Sequence, residues 1–463
     1  MPAGAVTSEP ATSSETGFPP AIRTDPNPGW MRMVLHVVYD AVWIVAIVGA
    51  SPWWLWRCAR DREFRRMASA RLTFGLPAPP RAGERARVLI HGVSVGEVKA
   101  AGPLVGLIEG EHPELEGVIS TTTLTGHALA LRLYPQYTIV RFPLDPSFLV
   151  RRFLRRIAPT CVVLVELEIW PNFLRNANRL GIPVAVANGR ITSESHRHYL
   201  FFRRLLPQFN RISLYCVQDE RYARRFLELS REESRLVVTG NVKADALETT
   251  RREAPAELRR LLGGERAQPV LVCGSTHEPE ERLLAAAWRD RVPKARLILV
   301  PRHPGRAKAI CEALARRGCV PQRLTDLRAG SEAPDPSRVA LVDTIGDLEG
   351  VYGLADLVFV GGSLVPHGGQ NMLEPAAGGR ATFYGPHVDN FRQEAELLER
   401  AGASLRLAGP EELGATLREL LDDGERRERM SRAGMEVAAT QAGASRRTLE
   451  ALGRWGLIPT ADP

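Results

Sequence analysis

The amino-acid sequence predicts an α/β protein with two doubly wound halves, preceded by an apolar helix. From residue 86 onward, short β-rich runs alternate with helical stretches, which is typical of parallel βαβ units. A charged stretch without a strand, residues 246–268, separates two such series and is predicted to be a linker with a short helix. A length of 463 residues also exceeds one ordinary core, which favours two domains.

The composition is that of an ordinary globular protein, with 44% hydrophobic and 25% charged residues. The six cysteines are scattered and form no CxxC pair, which predicts free thiols in a reducing cytoplasm. The net charge of +8 permits an anionic partner, either nucleic acid or anionic lipid. No RNP-like, zinc-finger or helix-turn-helix signature is present, so we expect no nucleic-acid partner.

The N-terminal segment predicts a tail followed by a membrane anchor. Residues 1–30 are rich in Pro, Ser and Thr, which is typical of disorder. Residues 33–56 are largely apolar, and about 20 such residues span a bilayer core. His36 and Asp40 interrupt this run, so a helix lying in the membrane interface and a buried helix of a soluble domain are alternatives. The arginines that follow predict that the rest of the chain stays cytoplasmic.

The two series of strands define the two predicted domains. Within residues 57–245 the predicted strands are ARVLIHGVS, GVISTTT, YTIVRFPL, TCVVLVELE, IPVAVANGR, SLYCVQ and RLVVTGNV. Within residues 269–430 they are PVLVCGST, RLILVPRHP, VALVDT, LVFVGGS and ATFYGP. Polar helices follow from about residue 411 to 456. Two such halves imply a cleft, with ligand contacts at the carboxyl ends of the strands.

The turn after the first strand, in HGVSVGEVKAAGPLV, contains a carboxylate with two possible roles. Ser94 and Glu97 fit the S-x-x-E capping box, in which each side chain satisfies a backbone N–H at the start of a helix. A carboxylate between a strand end and a helix start is also well placed to act as a catalytic base. The turn alone leaves both roles open.

Small and polar residues follow each apolar run of the second half. The segments are GSTHEPEE, PRHPGR, DTIGDLEGVYGLAD, GGSLVPHGGQNMLEPAAGG and GPHVDNF. Small residues let backbone N–H groups approach a phosphate, and an arginine supplies compensating charge. Arg302 followed by His303 suits a phosphate, so the five segments together predict a phosphorylated or nucleotide ligand.

Several cofactor classes are disfavoured by the motifs. The first strand is followed by HGVSVGE rather than a GxGxxG fingerprint, which counts against NAD. No Asp-x-Asp pair is present, and transferases that hold a sugar nucleotide through a divalent metal typically need one, so a mechanism without metal is favoured. His196 and His198 lack a third ligand, so we expect no metal there.

Two further charged positions stand near the close of the first half. Glu166 and Glu168 end an otherwise apolar strand, and alternation places both on the same face. Two such carboxylates are costly unless they are solvated or paired. Lys243 is either the partner of these carboxylates across the cleft or a simple loop lysine. Lysine is rare in this chain, since only four of the 61 basic residues are lysine.

Taken together, eight motifs resemble those of the 3-deoxy-D-manno-octulosonic acid (Kdo) transferases of Gram-negative envelopes, over roughly residues 35–430. In order they are SVGE, FPLDPSFLVRRFLRRIAP, ELEIWPN, ANGRIT, TGNVKAD, GSTHEPEE, PRHP and NMLEPAA. The resemblance implies a GT-B glycosyltransferase fold: an N-terminal anchor helix and two Rossmann-like domains, for acceptor and CMP-Kdo respectively. It also implies that helices in residues 431–463 cross back to the first domain. One departure is Gln370, where a His-Asn or similar pair is expected before LEPA.

The implied reaction is inverting, metal-independent transfer of Kdo from CMP-Kdo, without a cofactor, to a lipid A precursor at the inner face of the cytoplasmic membrane, in lipopolysaccharide biosynthesis. By resemblance, Glu97 is the general base, and Glu168 and Lys243 stabilise the transition state. The predicted substrate-binding residues are Ser94, Gly96, Ser275, Thr276, Pro301, Arg302, His303, Ile345, Gly346, Asp347, Gly362, Ser363, Asn371, Met372, Leu373 and Glu374. A GT-B enzyme that uses a UDP-sugar is the alternative, against which SVGE and ELEIWPN argue.

Overall fold

The computed structural model describes residues 29–81, 85–202, 208–247, 250–251, 253–263 and 268–459. These residues form two compact units, divided after Val242 and again after Ala442. The second unit thus starts at Lys243, three residues before the predicted linker. The tail predicted over residues 1–30 lies outside the described residues, except for its last two, which begin the first helix.

The first unit is built around seven strands. They are β1 (Ala86–His91), β2 (Leu115–Thr121), β3 (Thr138–Arg141), β4 (Pro159–Val165), β5 (Val184–Gly189), β6 (Leu214–Val217) and β7 (Leu236–Val238). The helices are α1 (Gly29–Arg60), α2 (Arg62–Arg71), α3 (Val95–Ala100), α4 (Gly102–Glu111), α5 (Leu124–Leu133), α6 (Ser147–Ile157), α7 (Pro171–Arg179), α8 (Ser193–Phe202) and α9 (Glu220–Ser230).

The strands form one parallel sheet in the order β3-β2-β1-β4-β5-β6-β7. Alternate residues of β1 enter two different cores: Val88 and Ile90 pack on one face, and Leu89 packs on the other. Burial on both faces explains why the strands are almost continuous apolar runs. It also explains why polar residues appear only where the strands end.

The second unit repeats this architecture. Its strands are β8 (Val270–Thr276), β9 (Arg296–Pro301), β10 (Gln322–Arg323), β11 (Ala340–Leu341), β12 (Leu357–Val360), β13 (Ala381–Tyr384) and β14 (Ser404–Arg406), in the parallel order β10-β11-β9-β8-β12-β13-β14. Its helices are α10 (Ala256–Leu262), α11 (Glu280–Arg291), α12 (Ala307–Ala315), α13 (Leu324–Arg328), α14 (Leu348–Tyr352), α15 (Leu373–Ala377), α16 (Arg392–Arg400), α17 (Leu413–Asp422) and α18 (Gly424–Gln441).

Each of the twelve predicted runs overlaps one of these strands, although β2 begins two residues and β4 one residue before the predicted run. The sequence missed β10 and β14, which are two and three residues long and lie at the edges of their sheet. Helix α10 falls in the stretch predicted as a linker, and its leucines at 258, 261 and 262 are buried in the core of the second unit.

The chain returns to the first unit at Gly443, whereas we assigned residues from 431 onward to the returning helices. Helix α19 (Ala444–Arg454) packs Leu449 and Leu452 into the same core as Val88 and Ile90. The Arg447 Nε donates a hydrogen bond to the carbonyl of Thr239 at 2.8 Å, which fastens α19 to the segment after β7.

Helix α1 is longer than the predicted residues 33–56, and among the described helices it is the one long and apolar enough to cross a membrane. Polar residues in its N-terminal half contact the first unit. The Asp40 Oδ1 accepts hydrogen bonds from the Ser147 backbone N–H and the Asn172 Nδ2, both at 2.8 Å. The Tyr39 hydroxyl donates to Asp145 Oδ2 at 3.1 Å. Asp40 therefore accepts the hydrogen bond of a backbone N–H at the N-terminus of α6, which has no capping side chain of its own.

A buried carboxylate organises the loop after β12 in the second unit. Glu280 is fully buried and accepts hydrogen bonds from the backbone N–H groups of His277, Gly362, Ser363 and Leu364, at 2.7 to 3.0 Å. One side chain thus joins the loop after β8 to the loop after β12. Its removal would leave four buried N–H groups unsatisfied.

We therefore predict that Glu280→Gln lowers the free energy of unfolding by about 3 kcal/mol, because the amide NH2 faces donors where the carboxylate accepted. Urea denaturation of the two proteins measures the difference. The control is Glu278→Gln, whose side chain is 53% exposed and contacts arginines at the surface. It should cost less than about 1 kcal/mol, and an equal loss in both variants would contradict the prediction.

Candidate active site

Glu97 is held at the carboxyl edge of the first sheet by contacts with its own turn. Its Oε2 accepts a hydrogen bond from the backbone N–H of Val93 at 2.6 Å, and its Oε1 accepts one from the Ser94 hydroxyl at 3.1 Å. The turn is fastened to α5, since the Thr123 hydroxyl donates to the Val93 carbonyl at 3.0 Å. Gly92 permits this close turn, because a Cβ there would lie 3.3 Å from the Glu97 Cβ.

These contacts differ from the predicted capping box. Ser94 is the N-cap residue of α3, but its side chain makes no capping hydrogen bond and instead donates to Glu97. The backbone N–H that donates to Glu97 is that of Val93, one residue before the N-cap, whereas a capping box uses the backbone N–H of the N-cap residue itself. Ser94 therefore orients the carboxylate, and Glu97 remains only partly buried. Gly96 is exposed beside it in the first turn of α3.

The prediction that Glu166 and Glu168 lie on one face of a strand is wrong. Strand β4 ends at Val165, and Glu166 has a left-handed backbone with φ of +66°, which turns the chain. The Glu166 Oε2 lies 2.8 Å from the Nε of Arg190, whereas Glu168 accepts a 2.7 Å hydrogen bond from the indole N–H of Trp170. The two carboxylates therefore have different partners.

Glu168 is electrostatically coupled to Glu97. Burial raises the pKa of the Glu168 carboxyl, the Trp170 hydrogen bond lowers it, and the charge of Glu97 raises it, so that the net shift is upward. Burial and then Glu168 also raise the pKa of Tyr199. The first unit therefore brings together two carboxylates that we singled out in separate motifs. Trp170 and Tyr199 were not predicted, although Trp170 lies within the quoted ELEIWPN.

Lys243 is the first residue of the second unit and lies in the short 3-10 helix Val242–Ala246. The preceding residue is fixed, because the Asn188 Oδ1 at the end of β5 accepts a hydrogen bond from the Val242 backbone N–H at 3.1 Å. Lys243 itself is half-buried. It thus directly follows a residue that is anchored at the carboxyl edge of the first sheet.

Three histidines gather at the carboxyl edge of the second sheet. His277, His303 and His367 follow β8, β9 and β12, which are neighbours in the sheet. The His277 ring centroid lies 4.4 Å from that of His367 and 5.8 Å from that of His303. Burial lowers the pKa of His277 to about 4, assisted by the two other histidines, Arg306 and Arg302. This histidine cluster, with Arg302 and Arg306 near it, offers imidazole and guanidinium groups that suit an anion.

Two features leave room for a ligand at the histidine cluster. The Nε2 of His277 is buried and has no hydrogen-bond partner within the described ranges. Gly362 has φ of +66°, and a Cβ on it would approach the His277 ring at 3.3 Å. Only glycine therefore gives both the backbone conformation and an unobstructed ring. Ser275, with φ of +55°, is buried where β8 reaches this edge.

Other predicted substrate-binding residues have structural roles. The Thr276 hydroxyl donates to Glu281 at 3.0 Å, and the buried Ser363 hydroxyl donates to the Val360 carbonyl at 2.5 Å. Pro301, Met372 and Leu373 are buried as well. Asn371 accepts a hydrogen bond from the Leu373 backbone N–H at 3.2 Å. The backbones of these residues shape the loops, whereas most of their side chains are buried or already hydrogen-bonded within the protein.

The loop after β11 contributes exposed and charged positions. Ile345 is 91% exposed, and Gly346 has φ of +96°. Asp347 accepts two hydrogen bonds from the Arg328 guanidinium, at 2.8 and 2.9 Å, and these hold the pKa of Asp347 below its usual value. Glu374 is half-buried in α15.

His277, His367 and Arg306 were not predicted as site residues. All three lie in segments that were quoted for their composition, so the signal was present. What the sequence lacked was the strand order, which places β8 between β9 and β12. Among the described residues no cluster of three His, Cys, Asp or Glu side chains is arranged to hold a metal ion, and His196 lies 3.3 Å from Glu228.

Residues 66–246 match the family model described as "3-Deoxy-D-manno-octulosonic-acid transferase (kdotransferase)". The chain is 34% identical to the 3-deoxy-D-manno-octulosonic acid transferase of Bordetella pertussis, over 89% of this chain and 99% of that one. It is 32% identical to the transferase of the same name from Haemophilus influenzae, over 85% of this chain and 92% of that one.

A solved structure shares the fold at low identity. The putative UDP-N-acetylglucosamine 2-epimerase from Listeria monocytogenes superimposes with a TM-score of 0.58, at 15% identity, over 82% of this chain and 99% of that one. With the two parallel sheets, this confirms the predicted GT-B class. From its sequence relatives, the chain belongs to the 3-deoxy-D-manno-octulosonic acid transferase family of glycosyltransferases.

Proposed function

We propose that the protein transfers Kdo from CMP-Kdo to a lipid A precursor of the lipid IVA type, with inversion and without a metal ion. The observation that carries this proposal is the placement of Glu97. Its carboxylate is oriented by Val93 and Ser94, remains partly exposed, and is coupled to Glu168 at the edge where parallel sheets bind ligands. The choice of Kdo as the transferred sugar rests on the family to which the chain belongs.

In the proposed reaction, a hydroxyl oxygen of the acceptor attacks the anomeric carbon of Kdo. The bond between that carbon and the phosphate oxygen breaks, and its electron pair leaves with CMP. Glu97 accepts the hydroxyl proton as the new glycosidic bond forms. Glu168, a carboxylate when ionised, stabilises the positive charge that develops on the sugar ring, and Lys243 is proposed to assist the departing anion.

The histidine cluster and Arg302 are proposed to hold the phosphate of CMP. In CMP-Kdo this phosphate is a diester that joins the nucleoside to Kdo, and its negative charge increases as the bond to Kdo breaks and CMP leaves as a monoester. A fixed cationic surface stabilises such a charge without a metal. The convergence of three histidines with Arg302 and Arg306 in the loops after adjacent strands supports this assignment.

For localisation, we propose that α1 lies in the interface of the cytoplasmic membrane rather than across it. The apolar helix contacts the first unit through Tyr39 in its N-terminal half and packs on α2 near its C-terminal end. Tyr39 is hydrogen-bonded to Asp145, and the rings of Trp53 and Trp54 lie 5.6 and 6.1 Å from Phe64, which is buried. The opposite face exposes the valines at 37, 45 and 48 and the leucine at 55, each by 62% or more. An amphipathic helix of this kind suits a bilayer surface.

Basic side chains near α1 are consistent with an anionic lipid acceptor. In α6 the arginines at 151, 152, 155 and 156 are exposed, while Phe153 and Leu154 are buried. In α8, Phe201 and Phe202 are 75% and 51% exposed. Arginines attract an anionic membrane surface, and exposed aromatic rings insert at its boundary.

We predict that purified protein converts CMP-Kdo and a tetraacylated lipid A precursor into CMP and a heavier lipid in the presence of EDTA. In the same assay, Glu97→Gln should lower turnover by a factor on the order of 100 or more, because the amide cannot accept the proton. Its melting temperature should change little, since the amide oxygen can still accept one hydrogen bond.

Two results would contradict this assignment. Turnover of a UDP-sugar in place of CMP-Kdo would overturn the proposed donor. Full activity of Glu97→Gln, with a loss of stability of about 1 kcal/mol, would make Glu97 a purely structural residue. Glu166→Gln is the matched control, since that carboxylate pairs with Arg190 instead.

We predict that saturating CMP raises the pKa of His277 from about 4 by at least about one unit, because a bound phosphate compensates the positive charges around the ring. Free His277 is neutral at pH 7, and the bound enzyme should therefore take up a proton at a higher pH than the free enzyme. NMR titration of the ring protons, assigned with His277→Gln, measures both values. Cytidine without phosphate is the control, and an equal pKa with and without CMP would contradict the phosphate site.

We predict that residue 30 stays on the cytoplasmic side. Trp30, at the start of α1, is 64% exposed, so a cysteine there is accessible to a reagent on its own side of the membrane. In Trp30→Cys spheroplasts, a membrane-impermeant maleimide should label this position only after permeabilisation. Labelling of intact spheroplasts beyond the wild-type background would show that α1 spans the bilayer.

A further inference from the structure

The face of α1 that packs on the first unit contacts Trp170, whose indole N–H donates to Glu168. Trp43 is half-buried on this face, and its ring centroid lies 6.4 Å from that of Trp170 at an interplanar angle of 46°. Tilted pairs at this separation are attractive beyond the area they bury. Four residues earlier in the helix, the Tyr39 hydroxyl donates to Asp145 Oδ2 at 3.1 Å.

Trp170 is fixed from three directions. Its ring packs on Phe142 at 6.3 Å and on Trp43, and its indole N–H donates to Glu168. Its backbone precedes α7, whose first N–H groups, from Asn172 and Phe173, donate to Asp145 at 3.0 and 2.9 Å. Of these contacts, the packing on Trp43 is the one that α1 makes.

We propose that Trp43 is a positioning residue for catalysis: by packing on Trp170 it holds the indole N–H against Glu168, so that the apolar N-terminal helix is part of the active site of the first unit. The inference rests on the proposed role of Glu168. It assigns α1 a function beyond attachment to the membrane, because removal of its inner face would loosen a hydrogen bond to a catalytic carboxylate.

The consequence is a change in both rate and pH dependence. A hydrogen bond to a charged group that is lost or misdirected lowers the rate by about tenfold if the charge acts in the transition state. The hydrogen bond from Trp170 lowers the pKa of Glu168, whereas burial and Glu97 raise it. Loosening this contact therefore raises the pKa further, and the acid limb of the rate profile moves to higher pH.

The test uses the full-length enzyme in detergent, where attachment to a membrane does not affect the rate. Trp43→Ala should lower kcat about tenfold with little change in KM, and should move the acid limb upward. Trp170→Phe, which lacks the N–H donor, should shift the acid limb in the same direction. Trp43→Phe retains a packing ring and should restore most of the rate. Trp30→Ala removes the same side chain from an exposed position of the same helix and should leave kcat unchanged.

A second readout does not depend on turnover. In a 15N-tryptophan spectrum, the indole resonance of Trp170, assigned with Trp170→Phe, should move in Trp43→Ala and stay in place in Trp30→Ala. An unchanged resonance with an unchanged pH profile would overturn the inference, as would a rate loss that Trp43→Phe does not restore. If wild-type protein does not turn over CMP-Kdo, the proposed function fails instead, and the resonance still tests the contact.

Discussion

The structure depends on satisfying backbone N–H groups at the carboxyl edges of two parallel sheets. Every strand there passes into a loop or helix whose first N–H groups lack partners within the helix. Carboxylates supply these partners: Asp145 for α7, Asp40 for α6, Glu280 for the loop after β12, and Glu97 for its own turn. Asp145 and Glu280 are buried, so they serve stability, whereas Glu97 is partly exposed and can also serve chemistry.

The two units differ in the charge of their candidate sites. In the first unit the negative charge of Glu97 contributes to the raised pKa of Glu168, after burial as the main cause. In the second unit three histidines and two arginines meet, and their repulsion contributes to the lowered pKa of His277. In the proposed reaction, a hydroxyl and a developing cation would complement the carboxylates of the first unit, and a phosphate would complement the histidines and arginines of the second.

The sequence predicted the strands well because burial on both faces leaves uninterrupted apolar runs. Glu97 and Glu168 drew attention because charges stand out where such runs end, and their catalytic roles stay predictions that rest on the family resemblance. Prediction from the sequence failed where the information is three-dimensional. The residues around Glu166 give no sequence signal of its left-handed backbone, so the predicted strand extended past Val165, where β4 ends. His277 and His367 are 90 positions apart, and only the order of β8 and β12 makes them neighbours.

Asp40 shows how one such long-range contact changes the meaning of a motif. Within an apolar run, a charged residue argues against burial in lipid, since it costs about 3 kcal/mol at the centre of a membrane helix. Its hydrogen bonds to Ser147 and Asn172, more than 100 positions away, remove that conflict, because the charge compensates helix N-termini of the folded unit. The same contacts orient α1, so that Trp43, three residues later and on the same face, points toward Trp170. The polar residues that interrupt the apolar run thus place the helix against Trp170, and the proposed membrane contact falls on its opposite face.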